Sequence, residues 1–174
     1  AVPQDIIDLR AIGAALTGSA LTDDINVPEG PYAEESMRVT VVPNRNAIML
    51  TVAFGVAAAR GDDAVATAVH GGDHFIYPDC RPEFIAAFET LANLATKAGV
   101  EGKEKLKIHT PLIQLTKAEI ILKGIELGVD YSLTHSCYSP EKDGRACGRC
   151  DSCLLRLKGF NDAGFEDPIG YKKD

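Results

Sequence analysis

No apolar run in this 174-residue sequence approaches the roughly 20 residues of a membrane span, so an integral membrane protein is not expected. The opening residues, AVPQDIIDLRAIG, contain no basic stretch leading into an apolar core and a small-residue cleavage site, so no secretory signal is visible. They also lack an initiator Met, which reads as a trimmed start. Positive charge is scarce: 18 Lys and Arg against 25 Asp and Glu leave a formal net charge of −7. A broad electrostatic grip on nucleic acid is therefore not expected, though a local basic site remains open. No internal repeat or low-complexity tract interrupts the chain. What is present is the mix of a soluble globular protein, 45% hydrophobic and 25% charged, long enough for one domain with a small appendage. Cytoplasmic residence is the resulting expectation, and in a reducing cytosol disulfides seldom persist.

That matters because four of the five cysteines crowd into CYSPEKDGRACGRCDSC, Cys137 to Cys153. Nine residues separate Cys137 from Cys147, and two separate each later pair, Cys147 from Cys150 and Cys150 from Cys153. Two-residue gaps let neighbouring thiolates turn onto one ion, and tetrahedral zinc is the usual result. An iron–sulfur cluster is the main metallic competitor. Gly144 and Gly148 fall where the backbone must turn around the ion. Four thiolates leave no open coordination position, so the site is expected to be structural, stapling a zinc-binding segment of residues 131–174. His135 is not needed as a ligand. Cys80, alone in YPDCRPEF, reads as a packed small residue more readily than as a nucleophile.

The rest of the chain alternates. DIIDLRAIGAAL suggests a short helix, and TDDINVPEGPYAEESM a mobile loop. RVTVV is a possible extended segment. NRNAIMLTVAFGVAAARG is a helix, apolar nearly all round and so expected to be buried, closed by Gly61. AVATAV, Ala64 to Val69, suits a buried parallel strand. After the polar loop HGGDHFIYPD comes a helix, RPEFIAAFETLANLATKAG, with Pro82 at its start and Gly99 past its end. LKIHTPL is a second strand. TKAEIILKGIELG opens with a capping box, Thr116 and Glu119, and closes at Gly128. A last helix starts at Asp151. Strands alternating with helices define an α/β protein with a parallel sheet, whose ligands sit beyond the carboxyl ends of the strands.

Three segments in the same order, VVPNRNAIML (Val41–Leu50), HGGDHFIYPDCRPEF (His70–Phe84) and the four-cysteine tail, resemble the 7-cyano-7-deazaguanine synthase family, also called QueC. PLIQLTKAEI (Pro111–Ile120) is similar to a fourth family segment. The resemblance implies a Rossmann-like, three-layer fold of the adenine-nucleotide alpha-hydrolase type, partial here over residues 1–130. It implies ATP-dependent conversion of 7-carboxy-7-deazaguanine and ammonia to the nitrile, a step toward queuosine, through adenylated acid and amide. One structural zinc and a homodimer are also implied. The family's Ser-Gly-Gly-x-Asp-Ser ATP loop does not occur in this sequence. It therefore reads as the C-terminal majority of such an enzyme, with the 174 residues alone expected to be incomplete for catalysis.

Candidate substrate residues follow from position. Arg45 and Asn46 open the apolar helix, where an Arg fork would meet phosphate or carboxylate, or simply pair at the surface. Asp73, past the first strand, or Asp79 would accept the paired N–H donors of a deazaguanine. Asp79 has a rival duty as N-cap of the helix entered through Pro82. Tyr77 would stack or pack, and Arg81 would pair with Asp79 or reach a carboxylate. Lys117 stands at a helix start after a strand end, a plausible anion site, although capping alone accounts for its neighbour Thr116. His70 and His74 are mouth-lining histidines able to move protons. The first alternative is a related pyrophosphatase-loop ligase acting on another carboxyl or amide. The second is a non-catalytic zinc-knuckle module that binds RNA through Arg145, Arg149, Arg156 and Lys158.

Overall fold

In a computed structural model, which describes residues 3–30, 37–102 and 105–172, the apolar run after Asp63 forms β1 (Ala64–Ala66) and the segment after Leu106 forms β2 (Lys107–His109). The strands pair in parallel, with buried Val65 opposite buried Ile108. Each strand is shorter than its apolar run, although Thr67 N–H still donates to His109 O at 3.0 Å beyond the pair. The result is an α/β fold around a small parallel sheet.

Helices α1 (Arg10–Gly13), α2 (Arg45–Arg60), α3 (Pro82–Leu94), α4 (Lys97–Glu101), α5 (Lys117–Glu126) and α6 (Asp151–Asp162) surround it. Leu50, Phe54 and Ala57 of α2, Ile85 and Phe88 of α3, and Val65 and Ile108 of the strands form the main core. Gly61 closes α2 in the left-handed region as expected. The expectation that α2 is buried all round is corrected: only one stripe is buried, and Met49 is 45% exposed. By length and composition Arg38–Arg60 is apolar enough to cross a membrane, with mean hydropathy 1.3, contrary to the expectation of no such run. Here it is divided into a tight turn at Arg38–Thr40, a break at Pro43 and Asn44, and α2 packed on the core. That turn also replaces the extended segment expected at RVTVV.

The helix expected from Arg81 to just before Gly99 breaks after Leu94. Thr96 Oγ1 accepts Gly99 N–H at 3.2 Å and starts α4, which Gly102 closes. Tertiary contacts explain the break. The buried Asn93 amide donates to Leu106 O and accepts Leu106 N–H at 2.9 and 3.0 Å, tying α3 to the approach of β2. Glu89 accepts Ile108 N–H at 2.8 Å, satisfying a strand donor from the side. Helix α5 begins with the expected capping box, Thr116 N–H to Glu119 Oε2 at 2.7 Å and Glu119 N–H to Thr116 Oγ1 at 3.3 Å.

Helix α6 packs against α5, where a Cβ on Gly159 would lie 2.8 Å from Lys117 Cγ and 3.1 Å from Ile121 Cδ1. Only glycine permits that approach. Arg156 of α6 makes a buried two-pronged pair with Asp167 at 2.7 and 2.9 Å, and also bonds Thr134 Oγ1 and Tyr131 O. Burial pushes the Asp167 carboxyl up, but Arg156, the Tyr171 hydroxyl and Ile169 N–H outweigh it and hold it below the usual carboxylate range. A second small core surrounds the four clustered cysteines and takes in Val27, Tyr138, Ile169 and Tyr171. Glu29 bridges to Cys150, and Gly30 N–H donates to Arg149 O at 3.0 Å, so part of the loop expected to be mobile is tied down. Residues 31–36 of that loop lie outside the described residues.

Candidate metal centre and substrate cavity

The tail folds around its sulfurs. Sγ atoms of Cys137, Cys147, Cys150 and Cys153 all lie within 4.8 Å of one another, and all four residues are buried. Cys147 Sγ and Cys153 Sγ stand 3.9 Å apart, and zinc–sulfur bonds of about 2.3 Å place tetrahedral sulfurs roughly 3.8 Å apart. A disulfide requires about 2.05 Å, and the cysteines are free. The space suits one ion better than a polynuclear cluster. Backbone N–H groups point at the sulfurs: Cys147 N–H to Cys137 Sγ at 3.3 Å, and Arg149 and Cys150 N–H to Cys147 Sγ at 3.4 and 3.3 Å. Burial pulls the Cys147 thiol up, yet the Cys150 and Arg149 N–H groups prevail and bring it down to about 7. Gly144 and Gly148, with φ of 87° and 72°, make the turns the sequence placed there. The donor set fits a structural zinc.

Beyond the strand ends, two adjoining spaces share Asp73, Lys117 and Leu155. A cleft of about 640 Å³ runs between the His70–Asp73 loop, the Gln114–Ala118 turn and α6. A recess of about 90 Å³ behind it is lined by Arg45, Asp73, Tyr77 and Lys117 together with Met37, Tyr138, Ser152 and Leu155. Four of the seven expected substrate residues thus converge. The Arg45 guanidinium lies 5.6 Å from the Tyr77 ring centre. Burial lowers the Lys117 ammonium below the ordinary lysine value, Asp73 opposes this, and Arg156 adds to it. Burial likewise raises the Tyr77 phenol, so it stays protonated.

His70 has a defined tautomer. Its Nδ1 accepts Gly72 N–H at 3.1 Å, so the ring proton sits on Nε2, 3.2 Å from Asp73 Oδ2. Burial lowers its pKa more than Asp73 raises it, while Lys117 and His74 add to the lowering. The imidazole is neutral.

The other three expected residues lie apart from the recess. Asn46 and Asp79 hold each other: Asn46 N–H donates to Asp79 Oδ2 at 2.8 Å, and Asn46 Nδ2 donates to Asp79 O and Cys80 Sγ at 3.1 and 3.2 Å. Asp79 therefore caps α2 from 33 residues away, and α3 begins at Pro82 after Arg81, with no side-chain cap. Arg81 donates through Nε to His74 O at 2.6 Å and faces a separate open cleft. Cys80 is buried, and desolvation raises its thiol to about 11, which suits a packed residue.

Sequence reasoning missed Tyr138 and Ser152. Both are adjacent to candidate metal ligands, Cys137 and Cys153, and no motif in the sequence marks them as lining the recess. The four basic residues around the cysteines pair with acids: Arg145 with Asp143, Arg149 with Glu29, Arg156 with Asp167 and Lys158 with Asp162.

These features define an α/β protein with a small parallel sheet and a four-cysteine cluster able to chelate a metal. The family model described as "Queuosine biosynthesis protein QueC" matches residues 1–164. Proteins named 7-cyano-7-deazaguanine synthase from Citrifermentans bemidjiense and Geobacter sp. (strain M21) are each 62% identical to this chain over 166 residues, covering 95% of it and 71% of the relative. The protein of that name from Brucella ovis is 56% identical over 171 residues, covering 98% of this chain and 71% of its own length. The chain belongs to the QueC family.

Proposed function

We propose that this chain serves the ATP-dependent conversion of 7-carboxy-7-deazaguanine and ammonia to 7-cyano-7-deazaguanine, the activity for which its relatives are named, in queuosine precursor biosynthesis. The observation that carries the site is the convergence of Arg45, Asp73, Tyr77 and Lys117 on one recess at the strand ends. Two cations and a carboxylate there suit an anionic substrate that also presents N–H donors.

The chemistry follows from leaving groups. The carboxylate oxygen attacks the α-phosphorus of ATP, releasing pyrophosphate and giving an acyl adenylate. Ammonia attacks the acyl carbon, AMP leaves, and one proton is lost to give the amide. A second ATP is attacked by the amide oxygen, again releasing pyrophosphate. Loss of the nitrogen-bound protons then expels AMP with that oxygen and leaves the nitrile. Oxide or hydroxide would be hopeless leaving groups, whereas AMP is a good one. Lys117 and Arg45 would hold the developing negative charge, and Asp73 would orient the base. Zinc, held by Cys137, Cys147, Cys150 and Cys153, supplies no chemistry here and fixes the tail.

A Rossmann-like, adenine-nucleotide-hydrolase-type sheet, a metal-binding segment over residues 131–174 attached to an α/β unit over residues 1–130, a cytoplasmic homodimer and no nucleic-acid partner complete the proposal. The pairing of the basic residues around the cysteines supports the last point. The test is mass spectrometric. These residues, joined to a relative's pyrophosphatase loop and supplied with ATP, ammonia and 7-carboxy-7-deazaguanine, form the amide and then the nitrile. Absence of both products overturns the proposal.

A further inference from the structure

Helix α2 starts without support from the residue before it. Asn44 sits in the left-handed region, with φ of 53°, and its side chain caps nothing. The first turn is held instead by the segment Tyr77–Cys80, which grips Asn46 and Arg45 together. Asp79 Oδ2 accepts the Asn46 N–H at 2.8 Å, and Asn46 Nδ2 donates to Asp79 O at 3.1 Å and to Cys80 Sγ at 3.2 Å. Asn46 is 7% exposed, so water competes little for these bonds. Two residues before Asp79, the Tyr77 ring centre lies 5.6 Å from the Arg45 guanidinium. The gripping segment is itself fixed: Cys80 N–H donates to Tyr77 O at 3.0 Å, and the buried Tyr77 hydroxyl meets Thr40 Oγ1 at 3.0 Å. Arg45 is what this grip delivers to the recess. Among the described residues its guanidinium makes no ion pair, so its charge is left for an anion. At about 90 Å³ the recess admits one anionic group, and a ring system belongs in the adjoining cleft of about 640 Å³.

We infer that Asn46 and Asp79 are positioning residues for Arg45, fixing the first turn of α2 so that the guanidinium stays at the recess. The inference rests on the substrate proposed above, whose acid group Arg45 would meet. Asn46 and Asp79 line neither the recess nor the cleft, so they act on the ligand through Arg45. An arginine side chain has many rotamers, and holding it in one of them costs entropy that subtracts from affinity. Here the two ends of the side chain are held by one short segment. Asp79 fixes the backbone end through the Asn46 N–H, and Tyr77 offers a face to the guanidinium end. Freeing the backbone end lets the fork leave the acid group, and the rest of the ligand is untouched.

The experiment is a double-mutant cycle, read by calorimetric titration of the zinc-loaded chain with 7-carboxy-7-deazaguanine and with 7-deazaguanine, which lacks the acid group. Arg45→Met weakens the acid about tenfold, the order of one hydrogen bond to a charged group, and changes 7-deazaguanine little. Asp79→Ala weakens the acid about fivefold in the wild-type background, a part of that same bond. In the Arg45→Met background it has no further effect, because the group it positions is gone. Asp79→Asn keeps an acceptor for the Asn46 N–H and restores the wild-type affinity. Each titration is run well below the melting temperature of its variant, so that lower stability does not enter. Where Asp79→Ala does not fold, Asn46→Ala, which removes only the side-chain amide, takes its place in the cycle with the same signs. Equal weakening in both backgrounds, or equal weakening of both ligands, marks a merely structural role and overturns the inference while the proposed function stands. Acid binding that Arg45→Met leaves unchanged does the same. If the wild type binds neither ligand, the proposed function falls with the inference.

Discussion

Single side chains in this protein often serve an element other than their own. Asp79 is the clearest case, because its carboxylate satisfies the Asn46 N–H in the first turn of α2, where Asn44 sits in the left-handed region and offers no side-chain cap. Asp79→Ala removes that partner and leaves a half-buried donor unmet. A loss of about 1–2 kcal/mol is expected in urea unfolding, the range for a lost cap, and an unchanged midpoint would show that water replaces the bond without cost. His70 gives a second prediction. Its folded pKa lies below the ordinary 6.5, mainly through burial, against the pull of Asp73 and with Lys117 and His74 assisting. A depressed value means the stability it contributes is complete above pH 6.5 and drains away as pH falls through the folded value. Asp73→Asn removes the group that raises it, so the imidazole NMR midpoint moves further down. Lys117→Met moves it up. Shifts in the same direction for both variants would contradict the geometry described here.

At the scale of elements, what was legible was local. The capping box of α5, the Gly61 closure of α2, the parallel pairing of the two apolar runs and the glycine turns of the cysteine loop each depend on residues within a few positions of one another. What was not legible depends on contacts distant in sequence. The break between α3 and α4 follows from Asn93 reaching Leu106, and the recess wall draws on Tyr77 and Tyr138, 61 residues apart (138 − 77). Gly159 belongs to the second group: in sequence it is a glycine in a helix, which costs up to about 1 kcal/mol of helix propensity. In the fold it is where the Lys117 stem crosses α6. Gly159→Val gains propensity but drives two methyl groups into Lys117 Cγ and Ile121 Cδ1, so the overpacking wins, with a net destabilisation of about 1–3 kcal/mol. It also displaces the Lys117 ammonium, so binding of 7-carboxy-7-deazaguanine weakens along with the melting temperature. A variant more stable than the wild type would show that α5 and α6 do not pack this closely.

The described residues of the molecule hold two cores, one at the sheet and one at the cysteines, and they answer metal loss differently. The sheet core is built from apolar residues of α2, α3 and the strands and contains no metal ligand. The tail core consists of the four cysteines with Ala146 and the partly buried Val27, Tyr138, Ile169 and Tyr171, too little apolar surface to hold itself without an ion. Helix α6 starts at Cys150 of the cysteine cluster, yet it is also held by its packing on α5 and by the buried Arg156–Asp167 pair, neither of which involves sulfur. Chelation should therefore loosen Cys137–Cys153 and the Glu29–Gly30 bridge while the second half of α6 stays docked. Hydrogen exchange tests this directly. With a chelator, amides of Ala146, Cys147, Cys150 and Gly30 exchange orders of magnitude faster, those of Phe54, Val65 and Ile108 keep their protection, and Phe160 changes little. Four thiols also become reactive to alkylation, with one zinc released per chain. Because Tyr138 and Ser152 are carried by the loosened loop, 7-carboxy-7-deazaguanine binding falls in step with zinc occupancy although zinc never touches the ligand. Full binding by the metal-free protein would separate the two sites and reduce the zinc to a local staple.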